Sequence, residues 1–306
     1  MRTERIQLFM RLAILVLFGV VLYKILDVKL LREAIRNVRL EIVGAALLLY
    51  FGNIAIRAYR WQIIFNKDGK RLALHEAYLV TLTGIALNLV IPATLGDIAR
   101  SYYGYKLYGG KEEMLSTTLV DKMFALCSLF LIGAVSGYLV QQYVLCLVSL
   151  CSAALTFIPI AFPRIVPWES VNTLLRVVKK SLDREKLLKA FTLSPLLKSG
   201  ILTLSVGAWF GTCVYFYILC LAFPVTVSFK YILLIMPILT IVRLFPFTIN
   251  ALGPTEVAVA YFFGKIGIQP TLAVLISLTS NVISSVIPGV LGLGIILLYE
   301  YANKSR

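Results

Sequence analysis

Asp97 and Arg100 lie three residues apart in LNLVIPATLGDIARSYYGYK (87–106), where an apolar run meets a proline, a glycine and then charge. A helix that restarts near Gly96 presents unpaired backbone N–H groups and the positive end of its dipole, which together attract an anion. Asp97 falls in the first turn of that helix and Arg100 one turn later, on nearly the same face. LGPTEVA (252–258) repeats the pattern, with Gly253 before it, Pro254 suited to a first helical turn and Glu256 early in the helix. Two helix starts of this kind, facing each other, would form a polar pocket for an anion.

Other polar residues fall near these two elements: Arg57 and Arg60 at the end of an apolar run, Asn88, Asp121 with Lys122, Arg243, Asn250 and Asn281. A charge at the centre of a bilayer costs about 2.5 to 3.5 kcal/mol even on the lenient insertion scale, so such residues turn inward and act. The candidate substrate-binding set is therefore Arg57, Arg60, Asn88, Gly96, Asp97, Arg100, Asp121, Lys122, Arg243, Asn250, Gly253 and Glu256. A plainer reading stands beside it: Asp97 caps its helix and pairs with Arg100, Glu256 caps likewise, and Arg57 and Arg60 snorkel to an interface. Trp61, next to them, reads as an interfacial anchor.

Composition sets the frame for these residues. The chain has 306 residues, is 59% hydrophobic with mean hydropathy +0.88, and carries 30 Lys and Arg against 15 Asp and Glu. Apolar runs near the length of a bilayer crossing recur at 8–26, 42–65, 115–140, 143–162, 197–222 and 270–299. The net charge of +15 fits positive loops beside anionic lipid better than a nucleic-acid surface, for which so apolar a chain has no room. The basic, apolar N-terminus lacks a small-residue cleavage site and reads as a retained first span. Cys127, Cys146, Cys151, Cys213 and Cys220 all lie in apolar runs without C-x-x-C spacing, which suits packing rather than disulfides or metal. His75 is the one histidine, so a histidine metal cluster is excluded and a Ser-His-Asp triad would have to use it. No cofactor or metal is expected.

Charge also sets sidedness. The segment 163–198 holds eight Lys and Arg against three acids, and IRAYRWQIIFNKDGKR (56–71) is the second basic cluster. Both are expected on the cytoplasmic side. The hairpin 115–162 crosses twice, so 74–100 must cross an even number of times, yet it is too short for two spans. A re-entrant pair of half-helices solves the count, entering through 74–90, turning at IPATLGD and leaving through 97–108. Non-helical backbone at that depth is tolerated only where it is buried or lines a wet cavity.

The second half repeats the argument. With 197–222 crossing outward, 270–299 as the last crossing and the basic C-terminus inside, 229–268 must also cross evenly. RLFPFTINALGPTEVAVA, broken by Pro246, Gly253 and Pro254, fits a second re-entrant pair from the opposite face. The expected fold is all-α and integral to the membrane: about six spanning helices and two re-entrant broken-helix hairpins (74–108 and 229–268) in an inverted pseudo-repeat. One membrane domain, 1–306, would divide into a first half (1–162), an amphipathic cytoplasmic linker (163–196) and a second half (197–306). Residues 27–41 read as an interfacial amphipathic helix and 168–190 as a helix on the inner surface.

IRAYRW, LNLVIPATLGDIAR, STTLVDK and LGPTEVAVAYFFGKIGI, in that order, resemble the membrane domain of the lysylphosphatidylglycerol synthase/flippase family and its stand-alone relatives. Gly96, Asp97 and Arg100 form the most specific element of the resemblance, and Glu256 the second. Lys122 stands where an arginine commonly follows the acid, and Pro254-Thr255 replaces a glycine-rich pattern. The resemblance implies a multi-pass lipid translocator that moves aminoacylated phosphatidylglycerol or handles polyprenyl-phosphate glycans. Bifunctional members add a soluble aminoacyltransferase domain; the chain ends at Arg306 just after the last span, so that domain and its activity are not expected here.

The expectation is thus a flippase in the cell membrane, with both termini cytoplasmic, that holds an anionic or aminoacylated phospholipid or a polyprenyl-phosphate lipid at mid-depth and works by alternating access. Two alternatives stay open. One is a membrane-embedded transferase with Asp97 or Glu256 as base, although no D-x-D pair or nucleotide-binding loop is visible. The other is an accessory subunit that docks a cytoplasmic lipid- or glycan-modifying enzyme through 163–198.

Overall fold

The computed structural model describes residues 27–89, 91, 96–165, 184–244 and 252–304. Every regular element among them is helical: α1 (Val28–Arg36), α2 (Leu40–Asn66), α3 (Leu74–Asn88), α4 (Gly96–Tyr108), α5 (Lys111–Leu139), α6 (Tyr143–Ala161), α7 (Arg184–Phe191), α8 (Pro195–Leu221), α9 (Phe229–Leu244), α10 (Pro254–Gly264), α11 (Pro270–Asn281) and α12 (Ile287–Lys304). A single π-helical turn, Val282–Val286, joins α11 to α12 without a break.

Five of these helices are long and apolar enough to cross a membrane: Leu40–Asn66, Glu112–Leu139, Tyr143–Ala161, Pro195–Leu221 and the continuous Pro270–Tyr301. They coincide with five of the six runs picked out above. The sixth, 8–26, lies outside the described residues, as does most of the stretch 168–190 expected as a surface helix; α7 (Arg184–Phe191) overlaps its last residues. Of the stretch 27–41 expected as an interfacial helix, Val28–Arg36 is helical as α1, and the next helix, α2, already begins at Leu40. Asp27 caps α1, accepting from the amides of Lys29 at 2.8 Å and Leu30 at 3.2 Å.

The remaining apolar helices are short. α3 and α4 have 15 and 13 residues, and α9 and α10 have 16 and 11. A bilayer crossing needs about 20. Each couple packs antiparallel. At Gly96 a Cβ would lie 2.3 Å from the Asn88 nitrogen, and at Gly104 it would lie 3.4 Å from Val80, so α4 runs back along α3. The Tyr231 hydroxyl, near the start of α9, donates to the Phe262 carbonyl near the end of α10 at 2.6 Å.

Contacts at the helix ends show which termini lie together. At one end Lys67 donates to the carbonyls of Lys189, Ala190 and Thr192, closing the C-terminus of α7, and Lys189 approaches Asp68 at 3.8 Å. Lys198 reaches the Ile160 carbonyl there, Lys70 meets Glu113, and Lys106 meets Glu300. The two basic segments and the end of α12 therefore share one end of the bundle. At the other, the Arg39 amide donates to Ala222 O and the Asp27 amide to Thr271 Oγ1. The α3–α4 pair starts and finishes at the basic end; α9–α10 starts and finishes at the opposite one.

Packing between helices in a membrane relies on close approach rather than on escape from water, so small residues mark the seams. α12 lies against α3 so tightly that a Cβ on Gly292 would sit 2.2 Å from the Leu82 carbonyl oxygen, and one on Gly289 would sit 2.5 Å from Leu89. Gly133 of α5 faces Pro237 of α9 and Ser149 of α6, each 2.9 Å from where its Cβ would be. The largest apolar cluster joins α2, α8, α9, α10 and α11 through Ile54, Phe216, Leu219, Ile232, Phe263 and Ile276.

Candidate functional site

Between the tips of the two short pairs lies a cavity of about 240 Å³. Asn88 and Arg100 line it from α3 and α4, and Met236, Arg243, Thr255 and Val259 line it from α9 and α10. The long helices complete the wall with Tyr50, Arg57 and Arg60 of α2, Asp121 and Lys122 of α5, Trp209 and Tyr215 of α8, and Ser277 and Ser280 of α11, followed by Ser284 and Ser285 of the π-turn. Five cations thus surround one acid among the described residues.

The acid anchors the cluster. Asp121 is 3% exposed, and its carboxylate accepts from Arg60 Nε at 2.6 Å through one oxygen and from Arg100 Nη2 at 3.2 Å through the other. Arg60 also donates to Ser205 Oγ at 3.2 Å and Arg100 to Thr81 Oγ1 at 3.3 Å. The Arg100 guanidinium lies 5.0 Å from the centre of the Trp61 ring, a cation–π contact. One carboxylate between two guanidiniums leaves a net positive centre whose members are held in place by helices α2, α3, α4, α5 and α8.

Local rules explain why the chain turns as it does at each tip. Gly96 is required by the close return of α4 against Asn88. Gly253 has φ 95°, in the left-handed region that glycine alone enters freely, and Pro254 follows at the first helical position. Glu256 is fully buried; its Oε2 accepts from the Gly253 amide at 2.6 Å and its Oε1 from Ser277 Oγ at 3.2 Å. This is the N-terminal capping arrangement.

Of the twelve residues singled out from the sequence, seven line the cavity together: Arg57, Arg60, Asn88, Arg100, Asp121, Lys122 and Arg243. Gly96, Gly253 and Glu256 do not; they shape the two helix starts. Asn250 and the side chain of Asp97 lie outside the described residues. Arg100 turns to Asp121 on α5, and the expected Asp97–Arg100 pairing rests on a side chain outside the described residues. Trp61 is a correction: instead of anchoring at an interface it is wholly buried, stacked beneath Arg100 and against Phe65. Its ring serves the guanidinium, and that outweighs the pull of an aromatic toward the headgroups.

Sequence reasoning missed the hydroxyl face of the last span. Ser277, Ser280 and Ser284 recur at helical spacing within an otherwise apolar run, a periodic signal that was open to reading. Tyr50 donates to the Ser284 carbonyl at 2.9 Å and Tyr215 pairs with Ser280, so two tyrosines bridge that face to α2 and α8. The π-turn supplies Ser284 and Ser285 to the wall, a placement typical of such turns at functional sites.

The prediction at Glu256 separates capping from charge. Glu256→Gln keeps an acceptor for the Gly253 amide, so folding should survive, whereas Glu256→Ala should lower stability by about 1 kcal/mol, within the range for lost N-terminal caps. Thermal unfolding of both variants in detergent checks this; an equal loss in both would make the charge itself essential.

A chain whose described elements are all helical, five of them of membrane length with a basic cavity among them, is a multi-pass membrane protein. It belongs to the lysylphosphatidylglycerol synthase transmembrane-region family, whose profile matches residues 8–292. A UPF0104 membrane protein from Methanothermobacter thermautotrophicus is 25% identical over 271 residues, covering 79% of each chain.

Proposed function

We propose that the protein is a lipid translocase of the cell membrane, moving an anionic or aminoacylated phospholipid, or a polyprenyl-phosphate lipid, by alternating access around the cavity. In this reading the chain is one membrane domain built as two inverted halves, 1–162 and 197–306, joined by 163–196. The hairpins 74–108 and 229–268 re-enter from opposite faces, and both termini lie in the cytoplasm. Arg100, Arg243 and Lys122 hold the lipid phosphate while the chains stay in the bilayer. Rocking of one half against the other opens the cavity first to one leaflet and then to the other.

One observation carries this reading: a cavity with a marked excess of positive charge, walled by short helices from opposite ends of a membrane bundle. Buried charge of one sign is costly unless a counter-charge arrives. In a membrane the abundant counter-charge is the lipid phosphate.

The test is reconstitution. The purified chain in liposomes should equilibrate a fluorescent anionic lipid between leaflets, measured by dithionite accessibility. Arg100→Ala should abolish the activity, and Arg243→Gln, at a half-buried position less exposed to folding defects, should reduce it at least tenfold. Absence of transport by the intact protein would overturn the reading.

A further inference from the structure

We infer that Glu256 takes up a proton when an anionic headgroup enters the cavity and gives it up when the headgroup leaves, so that guest and proton travel together. This rests on the lipid reading above and names the ion coupled to it.

Glu256 is a buried acid that capping alone does not explain. It is fully buried, and its carboxylate meets two neutral donors, the Gly253 amide and the Ser277 hydroxyl. No cation lies within ion-pair distance of it among the described residues. A glutamine at the third helical position would return to the Gly253 amide equally well and bury no charge. An ionisable side chain kept inside a membrane bundle without a counter-ion is what a proton carrier requires.

The helices around it offer no second carboxylate. α10 packs against α9, α11 and, through Phe263 and Phe216, α8. α9 carries Arg243 on the cavity wall, with Lys230 and Tyr231 at its other end. α11 has no ionisable residue, only hydroxyls and one amide. Beyond Lys198 at its basic end, α8 carries Cys213, Tyr215, Tyr217 and Cys220, and Tyr215 is bonded to Ser280. α10 itself adds only Tyr261. Glu256 is thus the one carboxylate in these four helices.

Ser277 links it to the cavity. The serine lines the wall and donates to Glu256 Oε1 at 3.2 Å. Next to Glu256 in the chain, Thr255 is 1% exposed and borders the cavity, and its hydroxyl has no partner among the described residues. A headgroup phosphate that accepts from Thr255 brings its negative charge beside Glu256, and like charges in a poorly solvated place disfavour each other. The same phosphate competes with the carboxylate for the single proton of Ser277. Both effects favour the neutral carboxyl while the guest is bound. The proton comes from bulk water through the cavity and forms its O–H bond at Oε1, while Oε2 keeps the Gly253 amide. On release it returns to water by the same route.

Isothermal titration of the full chain in neutral detergent with dioctanoyl phosphatidylglycerol tests this, since the phosphodiester of that lipid has no proton to gain near neutral pH. In buffers of different ionisation enthalpy at pH about 7, uptake of roughly 0.3 to 1 proton per bound lipid is expected. By linkage the lipid should then bind about four- to a hundredfold more tightly at pH 6 than at pH 8. In Glu256→Gln, with its fold checked by thermal unfolding, both the uptake and the pH dependence should vanish. Ser277→Ala, which leaves the acid in place, should reduce both. Uptake that survives in Glu256→Gln, or lipid binding by the parent without uptake, overturns the inference and leaves the lipid reading intact. Absence of lipid binding by the parent at either pH overturns both.

Discussion

Asp121→Ala should be the most damaging single substitution in the protein, lowering its stability by about 3 to 5 kcal/mol, the range for removing one partner of a buried ion pair. Two guanidiniums converge on this carboxylate, and all three side chains are at most 4% exposed. With the acid gone, Arg60 and Arg100 would repel each other where little water can screen them. Arg60 belongs to α2, Arg100 to α4 and Asp121 to α5, so the loss would loosen the seat of the α3–α4 pair rather than one local contact. Thermal unfolding in detergent, followed by tryptophan fluorescence, provides the measurement. Adding Arg100→Met to Asp121→Ala should recover part of the loss, because the double variant has one fewer stranded charge. Additive losses in the double variant would show that the three residues do not act as a unit.

Gly292→Leu is the second large expectation. The position borders backbone, not a flexible side chain: the Leu82 carbonyl oxygen and carbon would lie 2.2 and 2.7 Å from a Cβ, with the Ala86 methyl at 2.9 Å. Neither α3 nor α12 can yield by rotating a side chain, so the helices must separate. Overpacking of this kind costs about 1 to 3 kcal/mol, and more where backbone has to move. Gly292→Ala should show the same direction at smaller size. Gly294, two residues on, has open space at its Cβ, and Gly294→Ala serves as the matched control that should unfold near the parent temperature. If Gly292→Leu and Gly294→Ala unfold together, the α3–α12 seam is looser than the geometry states.

The parts of this protein that could be read from sequence are those with a local cause. Long apolar runs became α2, α5, α6, α8 and the continuous α11–α12 because each carries its own backbone hydrogen bonds and needs no partner to declare itself. Breaks near Asn88 and before Pro254 were legible because proline and glycine act within a few residues. The capping of Glu256 at the third helical position was half legible, since the carboxylate returns only three residues to Gly253. Its second partner, Ser277, is 21 residues away and gave no local sign.

Pairing across the bundle was not legible. Arg60 and Asp121 are 61 residues apart and Arg100 and Asp121 are 21 apart, so only the folded arrangement brings them onto one carboxylate. Trp61 was misread for the same reason. Its neighbours in the chain suggest an interface, whereas the guanidinium that covers it comes from α4. Serines and tyrosines around the cavity escaped notice because one hydroxyl in an apolar span is common, and only their recurrence along one helical face sets these apart.

The cavity is bordered by residues from both short helix pairs, and this has a thermodynamic corollary. A guest that touches Arg100 on one side and Thr255 on the other becomes a shared constraint. Whatever it gains from one tip alters the equilibrium at the opposite tip by the same free energy, since linkage between two contacts on one ligand is reciprocal. Substitutions at Asn88 and at Val259, though carried on separate arms of the bundle, are thereby joined in a single double-mutant cycle whenever the guest is present. They fall independent when it leaves.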